Sequence, residues 1–423
     1  MIFKRMREQI LDKAIRGQLV PQLQEEGVVE QIGESPAEVP FEIPRSWKWC
    51  KLKDVFSMQA GKFIKASEIK EAGAYPCYGG NGLRGFVDKT NRKGRFPIIG
   101  RQGALCGNIH VVDGEFYATE HAVVVDCGLY GDPDCVGLFL AHMNLNQYAT
   151  ATAQPGLSVK KIEELPFQLP PLAEQKRIAS RVTELFTEID RAEKAYEELQ
   201  SLANVLRGQI LQKAIQGKLV PQLPEDGVVN QIGDTPAELP FDIPSSWQWL
   251  SFSDLLIFEN GDRGKNYPAK SKLSKDASSG LPFVSAGNIS NGRINSKDLL
   301  FLSKEQEAKL KSGHIKANDC LMCIRGSLGK FGFAEKDGGA IASSLVILRI
   351  KEQSFLDKDF LSIVLSSPLF SDSLLARKNG TAQPNLGADV LKKFPFPLPP
   401  LAEQKRIVAK VNALFEQIDL MTK

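Results

Sequence analysis

The sequence predicts a mixed α/β protein in which two globular domains are joined by a long antiparallel coiled-coil spacer with a pseudo-two-fold internal repeat. Three features of the 423-residue chain support this fold class: two stretches recur almost unchanged, a heptad pattern follows one of them, and two dissimilar segments lie between the repeats. We therefore interpret the chain as two copies of one unit, each of which carries its own insert.

Two stretches of sequence each occur twice. LPFQLPPLAEQKRIASRVTELFTEID at 165–190 returns as FPFPLPPLAEQKRIVAKVNALFEQID at 394–419. REQILDKAIRGQLVPQL at 7–23 returns as RGQILQKAIQGKLVPQL at 207–223, and this match continues to the pairs Trp47/Trp49 and Trp247/Trp249. Because such close repeats mark duplicated structural units, both copies are expected to fold alike.

The repeat that contains Leu172 predicts a long helix. Its apolar residues alternate steps of four and three, as on the seam of a coiled coil, and they are Ile178, Val182, Leu185, Ile189, Ala192, Tyr196, Leu199, Ala203, Leu206 and Ile210. The helix is expected over 172–216, a length of about 65–70 Å, with Gly217 as its C-cap. A helix packed into an ordinary globular core is the alternative, although such a helix is usually shorter and does not keep a period of about 3.5 residues.

The second copy of this helix is split between the two ends of the chain. Its front half is expected at 401–419, with Ile407, Val411, Leu414 and Ile418 on the seam, and its back half at the N-terminus, where Phe3, Met6 and Ile10 match Ala203, Leu206 and Ile210. About six residues are missing between the two halves, which corresponds to about 9 Å of helix. We therefore predict that the two termini lie near each other and that their helices pack antiparallel against the central helix.

Acidic, proline-containing connectors follow both copies of the second repeat, at 24–46 and 224–246. Their prolines favour an extended path over the surface. A docking face for a repeated partner and a packed linker are both open interpretations of these connectors.

The segments between the repeats, 47–165 and 247–394, do not resemble each other in sequence. Both contain short strand-like runs that are separated by glycine-rich turns. These runs are FPIIG (96–100), HAVVVDC (121–127), GLPFVSAGN (280–288), NDCLMCIRG (318–326) and SSLVILRI (343–350). The second also has helical stretches near 304–311 and 360–365. Both are expected to be compact α/β domains dominated by sheet. The resulting domains are an N-terminal helix and connector (1–46), a first insert domain (47–165), a central repeat region (166–246), a second insert domain (247–394) and a C-terminal helix (395–423).

Positive charge is concentrated in the two insert domains, because the net charge is +2 for 47–165, +6 for 247–394 and −5 for the remainder. This distribution indicates nucleic-acid binding only weakly, since surface lysines also keep proteins soluble. KTNRKGR at 89–95 and RGKNY at 263–267 mix cations, amides and glycine as DNA-contacting loops do. TAQP at 152–155 and at 381–384 precedes each heptad helix, and its glutamine suits base edges or phosphates but equally suits a turn.

No catalytic or metal site is recognisable in the sequence. GSLGK at 326–330 has the wrong spacing for a phosphate-binding loop, and Cys320 and Cys323 form a lone CxxC without a second ligand pair. The four histidines, His110, His121, His142 and His314, match no known signature. No run of about 18 apolar residues predicts a membrane span. Seven cysteines without regular spacing argue for a reducing cytoplasm.

Two copies of LPPLAEQKRI before heptad helices, together with KAIRGQLVPQL, TAQP and the tryptophan pairs, closely resemble the specificity subunit of type I restriction–modification enzymes. The resemblance covers essentially the whole chain, and YGGNGLRGFVD at 78–88 and IIGRQGALCGN at 98–108 also resemble motifs of its recognition domains. It implies two target-recognition domains, which each read one half of a split DNA sequence, and a helical spacer between them.

The resemblance also implies that partner subunits perform the chemistry, in the cytoplasm of a bacterium or archaeon. Two modification subunits would bring S-adenosylmethionine to methylate adenine N6, and two restriction subunits would use ATP and Mg²⁺. This chain itself is expected to bind no cofactor and no metal and to act as a non-catalytic recognition subunit.

The candidate DNA-contacting residues are cations and amides of the insert domains: Lys62, Arg84, Lys89, Asn91, Arg92, Lys93, Arg95, Arg101, Gln102, Gln154, Arg263, Lys265, Asn266, Arg293, Arg325, Lys330 and Gln383. Replacing the arginines of 92–95 by alanine is expected to weaken DNA binding across sequences. A non-DNA scaffold with two binding modules on a coiled-coil rod is the main alternative, and an enzyme with an unrecognised site is another. Salt-dependent DNA binding separates recognition from scaffolding, because released counterions make affinity fall steeply with salt.

Overall fold

The computed structural model describes residues 2–103, 105–150, 155–237, 239–290, 292–377 and 386–422, and side chains 375 and 377 are not described. The chain divides into two compact units, Met1–Tyr196 and Glu197–Lys423. Among the helices in these ranges, none combines the length and apolar character needed to cross a membrane.

The first unit contains one terminal helix, the first insert domain and the front of the long central helix. Its helices are α1 (Ile2–Ile15), α2 (Leu52–Val55), α3 (Pro133–His142), α4 (Val159–Glu163) and α5 (Leu172–Ile215), which continues into the second unit. Its strands are β1 (Lys48–Lys51), β2 (Ser57–Ala60), β3 (Tyr75–Gly79), β4 (Gly82–Val87), β5 (Arg92–Lys93), β6 (Phe96–Gly100), β7 (Ile109–Val112), β8 (Glu115–Ala118), β9 (Ala122–Asp126) and β10 (Pro166–Leu169).

The second unit contains the back of α5, the second insert domain and the C-terminal helix. Its helices are α6 (Phe252–Leu255), α7 (Lys304–Ala308), α8 (Lys358–Ser366), α9 (Pro368–Arg377), α10 (Ala388–Lys392) and α11 (Leu401–Met421). Its strands are β11 (Gln248–Ser251), β12 (Leu256–Asn260), β13 (Leu281–Val284), β14 (Ile289–Ser290), β15 (Gly292–Ile294), β16 (Leu300–Leu302), β17 (Cys320–Cys323), β18 (Phe331–Phe333), β19 (Ala340–Ile341), β20 (Leu345–Ile350) and β21 (Pro395–Leu398).

The long helix predicted from the heptad pattern is confirmed, because α5 runs uninterrupted through 44 residues. It ends at the predicted glycine. Gly217, at φ 69°, donates its N–H to Ala214 O, and Lys218 N–H donates to Lys213 O, which together form a Schellman cap.

Each terminal helix packs antiparallel against α5 within its own unit. In the first unit, Phe3 contacts Tyr196 with ring centroids 6.1 Å apart, and Arg7 pairs with Asp190 at 2.5 Å. In the second unit, Gln200 donates to Thr422 O at 3.0 Å and Arg207 pairs with Asp419. The predicted antiparallel spacer is therefore confirmed in both units, while the predicted proximity of the two termini stays a prediction.

The predicted seam residues differ in burial. Most are buried, namely Ile178, Val182, Ile189, Ala203, Ile210, Ile407, Val411 and Ile418, and Leu185, Leu199 and Leu414 are half-buried. Ala192, Tyr196 and Leu206 are instead exposed, Tyr196 by 42% and Leu206 by 45%. In a straight helix, residues spaced by a 3.5-residue repeat rotate around the helix axis by about 20° per heptad. The apolar residues of the seam therefore do not all face the partner helix along the whole length of α5.

Buried hydrogen bonds fix the start of each spacer helix to the residues before the insert domain. Glu174, 1% exposed, accepts hydrogen bonds from Trp47 Nε1 at 2.9 Å and from Gln22 Nε2. The same contacts recur in the second unit between Glu403, Trp247 Nε1 at 2.9 Å and Gln222 Nε2. We call each set a clamp, and its residues repeat in the sequence because its contacts repeat in the structure.

In the described residues of the two connectors, one 3-10 turn is assigned to each, at Gln24–Glu26 and Pro224–Asp226, and no α-helix or β-strand. Each is a packed linker, because its apolar side chains lie on the core of its unit: Val29, Ile32, Phe41 and Ile43 in the first and Val229, Ile232, Phe241 and Ile243 in the second. A docking role in addition to this packing stays a prediction.

Two sheets form the framework of the first insert domain. One has the antiparallel order β2-β9-β6-β7, and the other has the order β4-β3-β8-β5, in which β3 and β8 run parallel. Helix α3 packs on β6 and β7 with Phe139 and Leu140 buried. The runs that the sequence predicted as strands are confirmed in both domains, as β6, β9, β13, β17 and β20. The two predicted helical stretches correspond to α7 and α8.

The second insert domain repeats this framework although its sequence is different. Its larger sheet contains the order β12-β20-β17-β18, which matches β2-β9-β6-β7, and its smaller sheet, β16-β13-β19, matches β4-β3-β8. The parallel pair of these two matching sheets also corresponds, because β13 runs parallel to β19 as β3 does to β8. The insert domains are thus two versions of one fold, a relation that comparison of their sequences did not predict.

Candidate nucleic-acid interface

Four loops of the first insert domain meet where strands of its two sheets end. We call residues 60–63, 79–84, 100–103 and 118–122 loop cluster 1. Backbone hydrogen bonds hold the loops together: Lys62 N–H donates to Ala118 O at 3.0 Å, Thr119 N–H to Tyr78 O at 2.9 Å and Arg101 N–H to His121 O at 2.8 Å. The segment 118–122 therefore lies at the centre and fixes the other three.

Glycine makes this close approach of loops possible. A Cβ on Gly100 would lie 1.9 Å from Gly80 O, and a Cβ on Gly61 would lie 2.1 Å from Ala118 O. No other residue fits at such distances without movement of the backbone. The glycine-rich motifs at 78–88 and 98–108 thus bring neighbouring polar side chains to one place.

Four of the predicted DNA-contacting residues lie in loop cluster 1. Lys62, Arg84 and Gln102 are exposed and Arg101 is half-buried, with Arg101 Nε donating to Leu157 O at 3.3 Å. Within the described ranges, none of the three cations has a carboxylate partner. Unpaired cations of this kind are suited to phosphate oxygens.

Loop cluster 1 also contains residues that the sequence analysis did not select. Phe63 is 70% exposed beside Lys62, and Leu83 is 54% exposed beside Arg84, so apolar surface is available for a base or a thymine methyl group. Glu120 and His121 occupy the central segment, with Glu120 Oε1 3.2 Å from His121 Nε2. No motif marks these residues, and only the convergence of the loops identifies them.

The basic segment 89–95 is largely occupied by contacts within the protein. Lys89 pairs with Glu68 at 2.7 Å, Lys93 pairs with Glu115 at 2.9 Å, and Arg95 binds Asp134 at 2.7 Å and Asp113 at 3.1 Å. The Asn91 amide donates to Ala118 O and accepts from Ala118 N, both at 2.8 Å, and Arg92 donates to Gln59 Oε1 at 3.3 Å. The structure thus gives these five predicted residues an intramolecular role, which the sequence alone did not indicate.

The second insert domain forms the corresponding loop cluster 2, residues 260–266, 323–330 and 341–345. Ile324 N–H donates to Ser344 O at 3.0 Å, as Arg101 N–H does to His121 O in the first domain. Cys323 N–H donates to Lys330 O at 2.8 Å, as Gly100 N–H does to Asn108 O. By this register Ile324 corresponds to Arg101, Arg325 to Gln102, Ser343 to Glu120 and Ser344 to His121.

Loop cluster 2 presents a different set of side chains. Arg263 Nη2 donates to Ser343 O at 3.3 Å and lines a pocket of about 240 Å³ together with Asn260, Arg325 and Lys392. Arg325, Lys265 and Lys330 are exposed and have no ion pair within the described residues. Asn266 Nδ2 is used internally, because it donates to Lys309 O at 2.8 Å.

The remaining predicted residues lie elsewhere. Arg293 is in β15, on the wall of a cleft of about 1360 Å³ in the second unit that is also lined by Arg207, Lys358 and Asp419. Cations and carboxylates are mixed in this cleft, so it lacks the uniform charge suited to a phosphate backbone. Gln154 and Gln383 fall outside the described residues.

No metal site or reactive thiol is found in the part of the chain that the structure describes. It contains no group of three or more His, Cys, Asp or Glu side chains placed to hold an ion. The seven cysteines are all buried, and burial raises the pKa of the Cys323 thiol to about 11. Cys320 and Cys323 are therefore ordinary core residues of β17.

Comparison with known families agrees with this architecture. The family described as "Type I restriction modification DNA specificity domain" matches residues 44–201 and 244–423, so that each match covers one insert domain and the helix that follows it. Together these matches cover well over half of the chain. The chain therefore belongs to the type I restriction–modification DNA specificity family.

Among its relatives, the specificity subunit of the type I restriction enzyme EcoprrI from Escherichia coli is 44% identical over 150 residues, which are 33% of this chain and 37% of that protein. The EcoBI specificity subunit from the same species is 26% identical over 67% of this chain and 58% of its own length. These alignments thus span between about a third and three fifths of each relative. The EcoAI specificity subunit, also from Escherichia coli, is 21% identical over 98% of this chain and 89% of its own length.

Two solved structures share the fold. One, from a study of complex assembly and conformational transition in a type I R-M system, superposes with a TM-score of 0.68 at 17% identity and covers 90% of this chain and 93% of the other. The HsdS subunit of Thermoanaerobacter tengcongensis superposes with a TM-score of 0.52 at 17% identity, over 91% and 93% of the two chains. At this identity the likeness establishes the fold.

Proposed function

We propose that this chain is the DNA-recognition subunit of a type I restriction–modification complex and that each insert domain reads one half of a bipartite DNA sequence. The observation that carries the proposal is the pair of loop clusters, in which matching backbones present different side chains. Two copies of one framework suit two contacts with the same kind of polymer, and different side chains suit two different base sequences.

The spacer sets the distance between the two half-sites in this proposal. Half-sites read from the same face of DNA are separated by about 34–36 Å per helical turn. Each residue inserted into α5 would lengthen the spacer by about 1.5 Å and rotate one end by about 100°. Changes in α5 are therefore expected to alter the spacing of the target and leave the bases of both halves unchanged.

Partner subunits supply the chemistry in this proposal. A modification subunit would bind S-adenosylmethionine and methylate adenine N6, and a restriction subunit would use ATP and Mg²⁺. The two units repeat the same spacer and connector sequences around their buried clamps, which gives two equivalent surfaces for two copies of the modification subunit. This chain would contribute DNA contacts only, including contacts that hold DNA from which the target adenine is extruded.

DNA binding and methylation test the proposal together. The full chain with its modification partner should bind one duplex far more tightly than a scrambled duplex, and affinity should fall steeply as salt increases from 50 to 200 mM, by roughly a thousandfold or more for about six or more phosphate contacts. Mapping of methylated adenines in host DNA should then give one bipartite sequence. A DNA affinity that does not change with salt, or the absence of a bipartite methylation pattern, would favour a protein scaffold instead.

A further inference from the structure

Glu120 is the one carboxylate of loop cluster 1, and one of its two oxygens lacks a hydrogen-bond donor. Its Oε1 lies 3.2 Å from His121 Nε2, whereas its Oε2 is buried and accepts no hydrogen bond from the described residues. A buried acceptor without a donor is unfavourable, because the water that solvated it in the unfolded chain is lost without replacement. The arrangement therefore suits a donor that arrives with a ligand.

The surroundings of Glu120 indicate what kind of ligand this is. Lys62, Arg84 and Arg101 converge on the same loops and have no carboxylate partner in the described ranges. A Cβ on Gly79 would lie 2.5 Å from Arg84 Cδ and 3.5 Å from Thr119 Oγ1, which places Arg84 beside the residue before Glu120. Arg84 and Glu120 are nevertheless not joined by an ion pair. The cations are thus available for phosphates, and the carboxylate is available for a separate donor.

A carboxylate on a phosphate-binding surface is useful only for a donor within the nucleic acid. Phosphates repel it, and the donors that DNA presents in the major groove are the exocyclic amino groups, cytosine N4 and adenine N6. We propose that Glu120, whose side chain is 31% exposed, is a specificity-determining residue of the first insert domain and that it turns its unpartnered oxygen outward to accept a hydrogen bond from such an amino group in one half of the target. This inference rests on the proposed function and assigns one position of that recognition to one side chain.

The second insert domain provides an internal comparison for this proposal. The residue that corresponds to Glu120 is Ser343, whose carbonyl already accepts from Arg263. Loop cluster 2 contains one carboxylate, that of Asp262, which is 6% exposed and accepts from Lys311 N at 2.8 Å and Gly264 N at 2.6 Å. Asp262 is thus satisfied within the fold, and Glu120 is not. Only the first half-site should depend on a carboxylate at this place.

A metal ion does not explain the arrangement. Glu120 and His121 are neighbours, but the described residues contain no third ligand placed to complete a site with them. An ion pair does not explain it either, since the free oxygen has no cation within reach in the same residues.

The test uses the full chain together with its modification partner. Glu120→Gln keeps the size of the side chain but replaces one acceptor oxygen by an amide that donates. We expect methylation mapping to show that one base pair of one half-site becomes degenerate, with discrimination at that position reduced by roughly 5- to 150-fold, while the other half-site and the spacing are unchanged. Asp88→Asn is the matched control, because Asp88 is an exposed carboxylate of the same domain that pairs with Lys70 at 2.7 Å, away from loop cluster 1.

Duplexes with altered bases identify the donor. If the donor is cytosine N4, a 2-pyrimidinone base in place of that cytosine, which lacks only the amino group, should weaken binding of the natural chain and leave binding of Glu120→Gln nearly unchanged. If it is adenine N6, purine in place of that adenine should have the same effect. Equal losses for both proteins at every position would contradict the proposal.

The outcomes separate this inference from the proposed function. Because glutamine keeps one oxygen that can accept, Glu120→Ala completes the test. If the natural chain gives a bipartite methylation pattern, and both Glu120→Gln and Glu120→Ala keep the same bases at every position with an unchanged thermal midpoint, the assignment of Glu120 is wrong and the proposed function stands. Relaxation that also appears in Asp88→Asn, or in the other half-site, would equally contradict the assignment. If the natural chain neither binds DNA nor directs methylation, the proposed function itself fails.

Discussion

The two clamps are alike in both sequence and structure, whereas the two insert domains are alike in structure alone. The clamps keep both residues and contacts, since Glu174 and Trp47 in the first unit recur as Glu403 and Trp247 in the second. The insert domains keep the strand order and the backbone hydrogen bonds of their loops but exchange nearly every side chain that those loops present. Where the chain makes the same contact twice, it repeats the residue, and where the proposed function requires two different base sequences to be read, it repeats only the framework.

The largest effect is expected for the clamps, because their tryptophans are buried in the core of each unit. Trp47 is 2% and Trp247 is 6% exposed. We expect Trp47→Ala and Trp247→Ala each to lower the free energy of unfolding of its own unit by about 3–5 kcal/mol, because each change leaves a cavity and removes one of the two donors of a buried carboxylate. Denaturant unfolding of the full chain, followed separately in each unit, measures this loss.

Equal losses of unfolding free energy in the two variants would show that the two clamps stabilise their units to the same extent. A loss below about 1 kcal/mol in either variant, or losses that differ severalfold, would show that the clamps are not equivalent, since surface changes usually stay within about 0.5 kcal/mol.

A second effect is expected at Arg325, the counterpart of Gln102. Arg325 is exposed at the pocket of loop cluster 2 and has no ion pair in the described residues, so it is available to guanine O6 and N7. Arg325→Ala should relax one position of the second half-site by about 1–3 kcal/mol and leave the first half-site unchanged. Competition binding with single-base variants of the target measures this change, and a uniform loss across all variants would indicate a phosphate contact instead.

A smaller effect is expected at Arg95, where the ion pairs in the structure lead to a different prediction from the one made from the sequence. Because Arg95 binds Asp134 and Asp113, its alanine variant should lose about 0–1 kcal/mol of stability and keep DNA affinity within about twofold. Parallel salt titrations of Arg95→Ala and the natural chain check this. A lower salt slope in the variant would show that Arg95 leaves its carboxylates to bind a phosphate.

The smallest effect concerns pH. His314 Nδ1 lies 2.7 Å from Glu307 Oε1 and its Nε2 lies 3.1 Å from Leu310 O, so the protonated ring, with two donors, satisfies both acceptors. The hydrogen bond to Glu307 raises the pKa of His314 above its usual value of 6.5. The stability from this contact is therefore fully present below about pH 6.5 and is lost as pH rises through the raised pKa.

Because His314 is 37% exposed, this contribution is expected to stay below about 1 kcal/mol. His314→Gln should flatten the decline in unfolding free energy of the second unit between about pH 6 and 9. If the unfolding free energy of His314→Gln depends on pH as that of the natural chain does, the contact between His314 and Glu307 contributes nothing to stability.

The sequence predicted those features that depend on residues close together in the chain. The heptad spacing defined α5, Gly217 defined its end, and short continuous apolar runs defined β6, β9, β17 and β20. Such elements can be predicted locally, because a heptad pattern indicates a helix and a short apolar run between turn residues indicates a strand buried on both faces.

The features that the sequence did not predict depend on distant residues. The common framework of the insert domains is held by backbone hydrogen bonds, which different side chains can support equally. The intramolecular role of 89–95 depends on Glu68, Glu115 and Asp134, which lie up to about 40 positions away. Glu120 became a candidate only because four loops meet around it and leave one of its oxygens without a donor.

Exchange of one insert domain for the other tests the central claim most directly. Residues 52–165 lie between β1 and β10, and residues 252–394 lie between the equivalent strands β11 and β21, whose pairing Ser251↔Pro395 matches Lys51↔Pro166. A chain that carries 252–394 in both places, expressed with the modification partner, should methylate a sequence whose two halves both match the second half of the natural target. Retention of the natural first half, or a target related to neither half, would contradict the claim that each insert domain reads its own half-site.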